Sequence, residues 1–289
     1  QELFAFDGKL LFSSRDLVTG RELYLSDGTA SGTQLLLDLE PGIGSSNPRE
    51  FTRVGAHVYF VASTSADHSE VWRTDGTAAG TVLVTDLYGA SSFGPTGLTA
   101  CGDRLFFHSA SGSGYGALHM VQTPSGATTS FAVLADDLAC SGNTLFFRGQ
   151  SVLSGYELWA CDGTVAGTQQ VHDLLPGPAS GSPSQFVDCG PGVCFRANTT
   201  VNGELWFSDG TAAGTSLLCT LDPAGNANIS LMTMCYGRLF MQAFSPVYGR
   251  ELFGIATPGA GAAVLGAGGA PKYSTLRTGD GAAPVLGTA

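Results

Sequence analysis

Positive charge is scarce in this sequence. Lys and Arg number 13 against 24 Asp and Glu, a formal net charge of −11. Binding to a phosphate backbone needs a basic stripe, so no nucleic-acid partner is expected, and an anionic membrane surface is disfavoured on the same ground. No apolar run reaches the roughly 18 residues that a spanning helix needs, so no membrane insertion is expected. A basic n-region followed by an apolar h-region is missing too. The chain opens at Gln1 inside a strand-like pattern, which reads as a processed or truncated start. Its seven Cys are scattered, with no C-x-x-C pair and no His at zinc spacing, so no metal and no cofactor is expected. They suit an exported protein, extracellular or at the cell surface, with one or more disulfides and at least one unpaired thiol.

What the sequence has in abundance is turn residues and repetition. It carries 41 Gly and 13 Pro in 289 residues, with 43% hydrophobic residues, a balance that suits many tight turns better than long helices. One segment recurs as Glu22-Leu-Tyr-Leu-Ser-Asp-Gly-Thr29, Glu70-Val-Trp-Arg-Thr-Asp-Gly-Thr77, Glu157-Leu-Trp-Ala-Cys-Asp-Gly-Thr164 and Glu204-Leu-Trp-Phe-Ser-Asp-Gly-Thr211. Each copy is followed by x-x-Gly-Thr, at Gly32-Thr33, Gly80-Thr81, Gly167-Thr168 and Gly214-Thr215. Worn copies begin at Ala117 and Glu251, and lack the Asp-Gly-Thr turn. Equivalent starts in the first and second three units lie 135, 134 and 134 residues apart, with the worn unit third in each half. The pattern reads as a duplicated three-unit half or as two halves that met the same constraint.

A second recurrent segment lies upstream of the first in every unit, as in Leu98-Thr-Ala-Cys-Gly-Asp-Arg-Leu-Phe-Phe107. It reads as a short strand A, a tight Gly-containing turn and an aromatic, buried strand B. Glu-Leu-Trp-x-Ser is strand C, Asp-Gly-Thr-x-x-Gly-Thr a hairpin turn, and the apolar run after it strand D. Four antiparallel strands per repeat is the signature of a propeller blade, and one blade buries its faces only by stacking on its neighbours. The expected fold is therefore all-β, a β-propeller of six four-stranded blades in a single domain over 1–289. The units run approximately 3–50, 51–97, 98–137, 138–185, 186–231 and 232–274, with 275–289 as closing strands. Thr275-Leu-Arg-Thr-Gly-Asp-Gly281 resembles the start of a further unit, so seven blades with an incomplete last one is the alternative.

These motifs resemble the bacterial ELWxxDGT repeat family across essentially the whole chain. The resemblance implies a large secreted or cell-surface bacterial protein and brings no catalytic residues with it.

Topology places the short A–B and C–D turns on one face and the B–C loops and D–A crossovers on the other. The second set varies from unit to unit, and variable loops on a rigid scaffold are where binding concentrates. Residues occurring once on that face are the candidate ligand-binding set: Arg15, Asp16, Asp67, His68, Tyr115 and Arg250. The sequence thus points to a non-catalytic binding or adhesion module for glycan or protein. The alternative is a secreted hydrolase or lyase acting on polysaccharide or peptide at the channel mouth.

The recurring residues have plainer readings. Asp27, Asp75, Asp162 and Asp209 are expected to cap their turns; a calcium loop would need several more oxygen ligands. Trp72, Trp159 and Trp206 are expected to pack between blades rather than to stack on sugars. Glu22, Glu70, Glu157, Glu204 and Glu251 are expected to accept hydrogen bonds at strand edges, since a glycosidase uses two carboxylates about one bond, not one per blade. The five His never repeat in register, and no Ser/His/Asp arrangement stands out. Cys189 and Cys194 flank a hairpin turn, aligned with Val54 and Tyr59. Direct opposition would bring them within disulfide reach, with two free buried thiols as the other outcome.

Overall fold

The computed structural model describes residues 2–87, 94–109, 116–151, 153–199, 203–256 and, as backbone, 274–276. Every regular element among them is a strand. The first repeat supplies β1 (Leu3–Phe6), β2 (Lys9–Asp16), β3 (Gly20–Ser26) and β4 (Gln34–Leu37), and the second β5 (Arg49–Val54), β6 (His57–Thr64), β7 (His68–Thr74) and β8 (Val82–Leu83). The third and fourth supply β9 (Pro95–Cys101), β10 (Arg104–Ser109), β11 (Gly116–Gln122), β12 (Ala127–Ser141), β13 (Thr144–Ser151), β14 (Gly155–Cys161) and β15 (Gln169–His172). The fifth has β16 (Ser184–Asp188), β17 (Val193–Ala197), β18 (Glu204–Ser208) and β19 (Ser216–Cys219). The sixth has β20 (Ser230–Cys235), β21 (Arg238–Ser245), β22 (Gly249–Ala256) and β23 (Ser274–Leu276).

Sequential strands pair as antiparallel meanders. Repeats one, two, five and six each form a four-stranded sheet, and repeats three and four form one seven-stranded sheet in which β12 lies between β11 and β13. The reason is length. The third repeat is the short one, 40 residues from its strand C start to the next, so its strand D runs into the following strand A without a crossover loop.

By its internal contacts the chain divides into two compact units, Gln1–Asp136 and Asp137–Ala289. The boundary falls between the third and fourth repeats, so each unit holds three. Within the first unit, Phe6, Leu11 and Leu23 pack with Val58 and Phe60 of the next repeat, and Val54, Tyr59 and Val71 pack with Leu105, Phe107 and Val121. Within the second, Phe146 and Leu158 pack with Val193 and Phe195, and Leu205 and Phe207 with Leu239 and Phe253. Neighbouring sheets thus bury the aromatic strand B positions between them. Trp72 and Trp206 pack against these inter-sheet clusters, as expected.

Three expectations are corrected by the register. The A–B turns contain two residues, with Val54 opposite His57 and Cys101 opposite Arg104, so Val54 and Tyr59 do not face each other. In the fifth repeat Cys194 faces Val187, while the Cys189 N–H closes the turn on the Gly192 carbonyl. The disulfide between Cys189 and Cys194 nonetheless exists, with Cα atoms 6.0 Å apart, linking a turn residue to a strand residue. Lastly, Ser274–Leu276 pairs with β22 as the fourth strand of the sixth sheet rather than opening a further unit. The Thr257-Pro turn and residues 277–289 lie outside the described residues.

Candidate binding site on the variable-loop edge

The recurring motif residues are engaged in building the repeats. In all four complete copies the turn Asp accepts two hydrogen bonds from the Thr two positions on. For Asp75 these are the Thr77 N–H at 2.9 Å and its hydroxyl at 2.7 Å, and Asp27, Asp162 and Asp209 repeat them. That Thr hydroxyl accepts from the N–H of the next motif Gly, Gly80, at 3.0 Å, and the Thr81 hydroxyl closes the turn on the Thr77 carbonyl. The intervening Gly28, Gly76, Gly163 and Gly210 sit at φ between +87° and +95°, a region that β-carbons disfavour. These hydrogen bonds hold the Asp27 and Asp75 carboxyls below their usual pKa.

The motif Glu lies buried at the base of strand C in four repeats and ties the strand D exit and the crossover to it. Glu22 accepts from the Leu39 N–H (2.9 Å), the Ser46 N–H (2.7 Å) and the Ser46 hydroxyl (2.5 Å). Glu70 accepts from the Thr85 hydroxyl and Leu87 N–H. Glu157 accepts from the Leu174 N–H (2.7 Å) and Gly181 N–H (2.6 Å), and Glu204 from the Thr199 and Thr220 hydroxyls. Burial pushes the Glu22 carboxyl up and carries Glu157 to about 7. Glu157 has no counterpart to the Ser46 hydroxyl, because Gly181 stands at that position. Asp38 makes only a long contact, from the Gly42 N–H at 3.4 Å.

The crossovers after the first, fourth and fifth repeats run beside the B–C loops of their own repeat and of the next. The Arg21 N–H donates to the Ser45 hydroxyl, the Ser63 N–H to the Ser46 carbonyl, and the Ser65 N–H to Glu40. The second unit repeats this with the Tyr156 N–H on the Ser180 hydroxyl and the Phe244 N–H on the Ala227 carbonyl. Gly20 makes the packing in the first repeat possible, because a β-carbon there would run into the Gly44 carbonyl.

The candidate residues fare unequally on this edge. Asp16 is consumed locally: it accepts from the Val18 and Thr19 N–H groups at 2.7 Å, the Thr19 hydroxyl at 2.9 Å and the Tyr24 hydroxyl at 2.6 Å. The Tyr24 bond leads in holding its carboxyl well below the usual range. Asp67 and Thr64 cap each other. His68 has φ +55° where Gly20, Gly155 and Gly249 stand at +71° to +76° in other repeats, and its Nδ1 is buried without a partner. Arg250 donates to Gln242 at 3.3 Å in the second unit. Arg15 is exposed on the first B–C hairpin, opposite Arg21. Tyr115 lies outside the described residues. No hydrogen bond or ion pair joins Arg15 and Asp16 to Asp67 and His68. Sequence reasoning missed Arg21, whose position only the register discloses.

Two other features carry less. His119 Nδ1 lies 2.8 Å from the Ser130 hydroxyl, a contact that follows from their direct opposition across β11 and β12; burial lowers the His119 pKa. A cavity of about 280 Å3 is lined by Glu2, Leu3, Phe4, Glu50 and Phe51. Its carboxylates are ties between neighbouring first strands: Glu2 accepts from the Glu50 N–H, and Glu50 from the Thr96 hydroxyl (2.8 Å) and Leu98 N–H (3.2 Å).

Cys101 and Cys140 are also disulfide-bonded, which makes two disulfides, and Cys161, Cys219 and Cys235 are thiols outside any disulfide. No helix among the described residues is long and apolar enough to cross a membrane.

No family model matches the chain, and no curated protein matches it. Solved structures do. A puromycin-hydrolyzing peptidase of Mycobacterium tuberculosis aligns over 89% of this chain and 43% of its own length, at 11% identity and a TM-score of 0.53. Prolyl oligopeptidase B of Galerina marginata aligns over 89% of this chain and 42% of its own, at 12% identity and a TM-score of 0.52. The β-propeller domain of the Trilobed protease of Pyrococcus furiosus aligns over 88% of this chain and 80% of its own, at 12% identity and a TM-score of 0.50. The chain thus spans less than half of these two peptidases but most of the isolated propeller domain. At such identities the likeness is one of fold: this is an all-β chain whose structural neighbours are β-propeller proteins.

Proposed function

We propose that the chain is a non-catalytic recognition domain of an extracellular protein, its six repeats the six blades of one β-propeller and its sequence a member of the ELWxxDGT repeat family. It binds peptide through the B–C loops and D–A crossovers. One contrast carries the reading. The residues that recur are taken up by turns and strand ties, while the side chains left exposed on the loop edge, among them Arg15, Leu17, Val18 and Ile43, occur once. Fold alone does not assign function. The choice of peptide over glycan draws on neighbours whose names describe peptidases, matched over less than half their length. The two disulfides suit an oxidising compartment.

A hydrolase reading has one local observation in its favour, the His119–Ser130 contact. Incubating the purified chain with a peptide library, and measuring both retention and cleavage, separates the two. Retention without cleavage supports recognition; cleavage abolished by Ser130→Ala overturns it.

A further inference from the structure

We propose that Arg15 and Arg21 together form a binding site for a peptide carboxylate, which rests on the recognition reading above and names its chemistry. The two arginines are direct cross-strand partners on β2 and β3, so their side chains leave the same face of the hairpin with Cα atoms about 5 Å apart. The ion pairs Arg53–Asp7 and Arg104–Asp103 involve other arginines. Neither the Arg15 nor the Arg21 guanidinium has an ion pair, a hydrogen bond or an aromatic partner. In a chain with 24 acidic and 13 basic residues, two opposed and uncompensated guanidinium groups are unexpected. Like charges placed directly opposite destabilise a hairpin, and an oxyanion bridging the two planar donors relieves that repulsion.

The neighbouring carboxylate cannot serve. Asp16, next along β2, points to the other face of the strand and is held by Tyr24 and Thr19. Equivalent cross-strand pairs in other repeats are Ser63 with Ser69, Gln150 with Tyr156 and Phe244 with Arg250, so the double arginine is peculiar to the first repeat and is no requirement of the fold.

The surroundings favour a peptide. Leu17 (93% exposed) and Val18 (74%) form the tip of the same hairpin, and Ile43 (85%) lies on the crossover that packs against its Gly20. Charge beside exposed aliphatic side chains fits a carboxylate next to an apolar residue. The rings nearest in register, Phe12 and Tyr24, are half-buried against each other at 5.8 Å, and the Tyr24 hydroxyl is bound to Asp16, which leaves no free aromatic face for a sugar.

The test uses three immobilised tetrapeptide sets: apolar with free C-termini, the same sequences amidated, and amidated sequences containing Asp or Glu. Inorganic phosphate serves as competitor. The wild-type chain retains carboxylate-bearing peptides roughly tenfold more tightly than neutral amides, and phosphate competes. Preference for the first or the third set identifies the carboxylate as terminal or side-chain. Arg15→Gln and Arg21→Gln each abolish the preference while leaving the thermal midpoint unchanged or raised. Equal retention of neutral amides, or a preference that survives in both variants, overturns the anion site while leaving loop-edge recognition standing. No retention of any set overturns both.

Discussion

A β-carbon on Gly80 would fall inside the carboxylate of Asp75, and the same holds for Gly32 over Asp27, Gly167 over Asp162 and Gly214 over Asp209. The two ends of the Asp-Gly-Thr-x-x-Gly-Thr motif are therefore one device: the first residue caps the turn, and the glycine five positions on leaves it room.

That relationship makes the two substitutions non-additive. Asp75→Ala is expected to lower stability by about 0.5–2 kcal/mol, as lost caps do, and Gly80→Ala by a similar amount through displacement of the carboxylate. The double variant should lose less than the sum, because the clash disappears with the carboxylate. Urea unfolding of the four proteins of this cycle measures the coupling. Strict additivity would show that the glycine acts independently of the cap.

Glu157 sets a pH dependence. Its carboxyl is pushed from the ordinary 4.5 to about 7 by burial, so the folded chain holds the proton more tightly than the unfolded one. Its contribution to stability is complete below about pH 4.5 and is lost as the pH rises to about 7, an effect on the order of 1–3 kcal/mol. Glu157→Gln should flatten that stretch of the stability–pH curve, as measured by urea midpoints between pH 4.5 and 7.5. An unchanged slope in the variant would assign the dependence elsewhere.

Thiol chemistry tests the cysteine assignment. One thiol, Cys235, is exposed, while Cys161 and Cys219 are buried, and burial carries the Cys219 pKa to about 12. Alkylation of the native, unreduced chain should label Cys235 alone, and alkylation in denaturant should add Cys161 and Cys219. Cys189 and Cys194 should resist both. Their recovery as alkylated peptides would refute the bridge.

Asp16 is a structural residue by its contacts. Asp16→Asn and Tyr24→Phe should each lower the urea midpoint through loss of a charge-assisted hydrogen bond. The Tyr24 hydroxyl, whose pKa is raised chiefly by Asp16, should titrate lower in Asp16→Asn when followed by ultraviolet absorbance. A Tyr24 titration unmoved by the substitution would dissociate the pair.

The repeat was legible because its chemistry is local. A turn of Asp, Gly and Thr dictates its own hydrogen bonds, so recurrence of the letters reported recurrence of the geometry, and a Glu at one strand position pointed to an acceptor there. Features set by backbone position alone were not. The first strands bulge at Glu50, Gly97, Gln185 and Leu231, all with φ of +53° to +70°, but four different residue types share that conformation and no letter pattern announces it. The fusion of two strands in β12 follows from a missing crossover, visible only as a short spacing. The Arg15–Arg21 pair was hidden because Arg21 belongs to the stretch leading into the repeated motif, and only the hairpin register sets it opposite Arg15.

The separation of scaffold from site is best tested by comparing peptide affinity in two variants. In one, loop residues 17–19 of the first B–C hairpin are replaced by Gly-Ser-Gly; the other is Asp75→Ala. The account predicts that the loop variant keeps its β-sheet circular dichroism and loses binding, whereas Asp75→Ala loses stability and keeps full affinity at a temperature where it is folded. Undiminished binding in the loop variant, together with a large loss in folded Asp75→Ala, would contradict it.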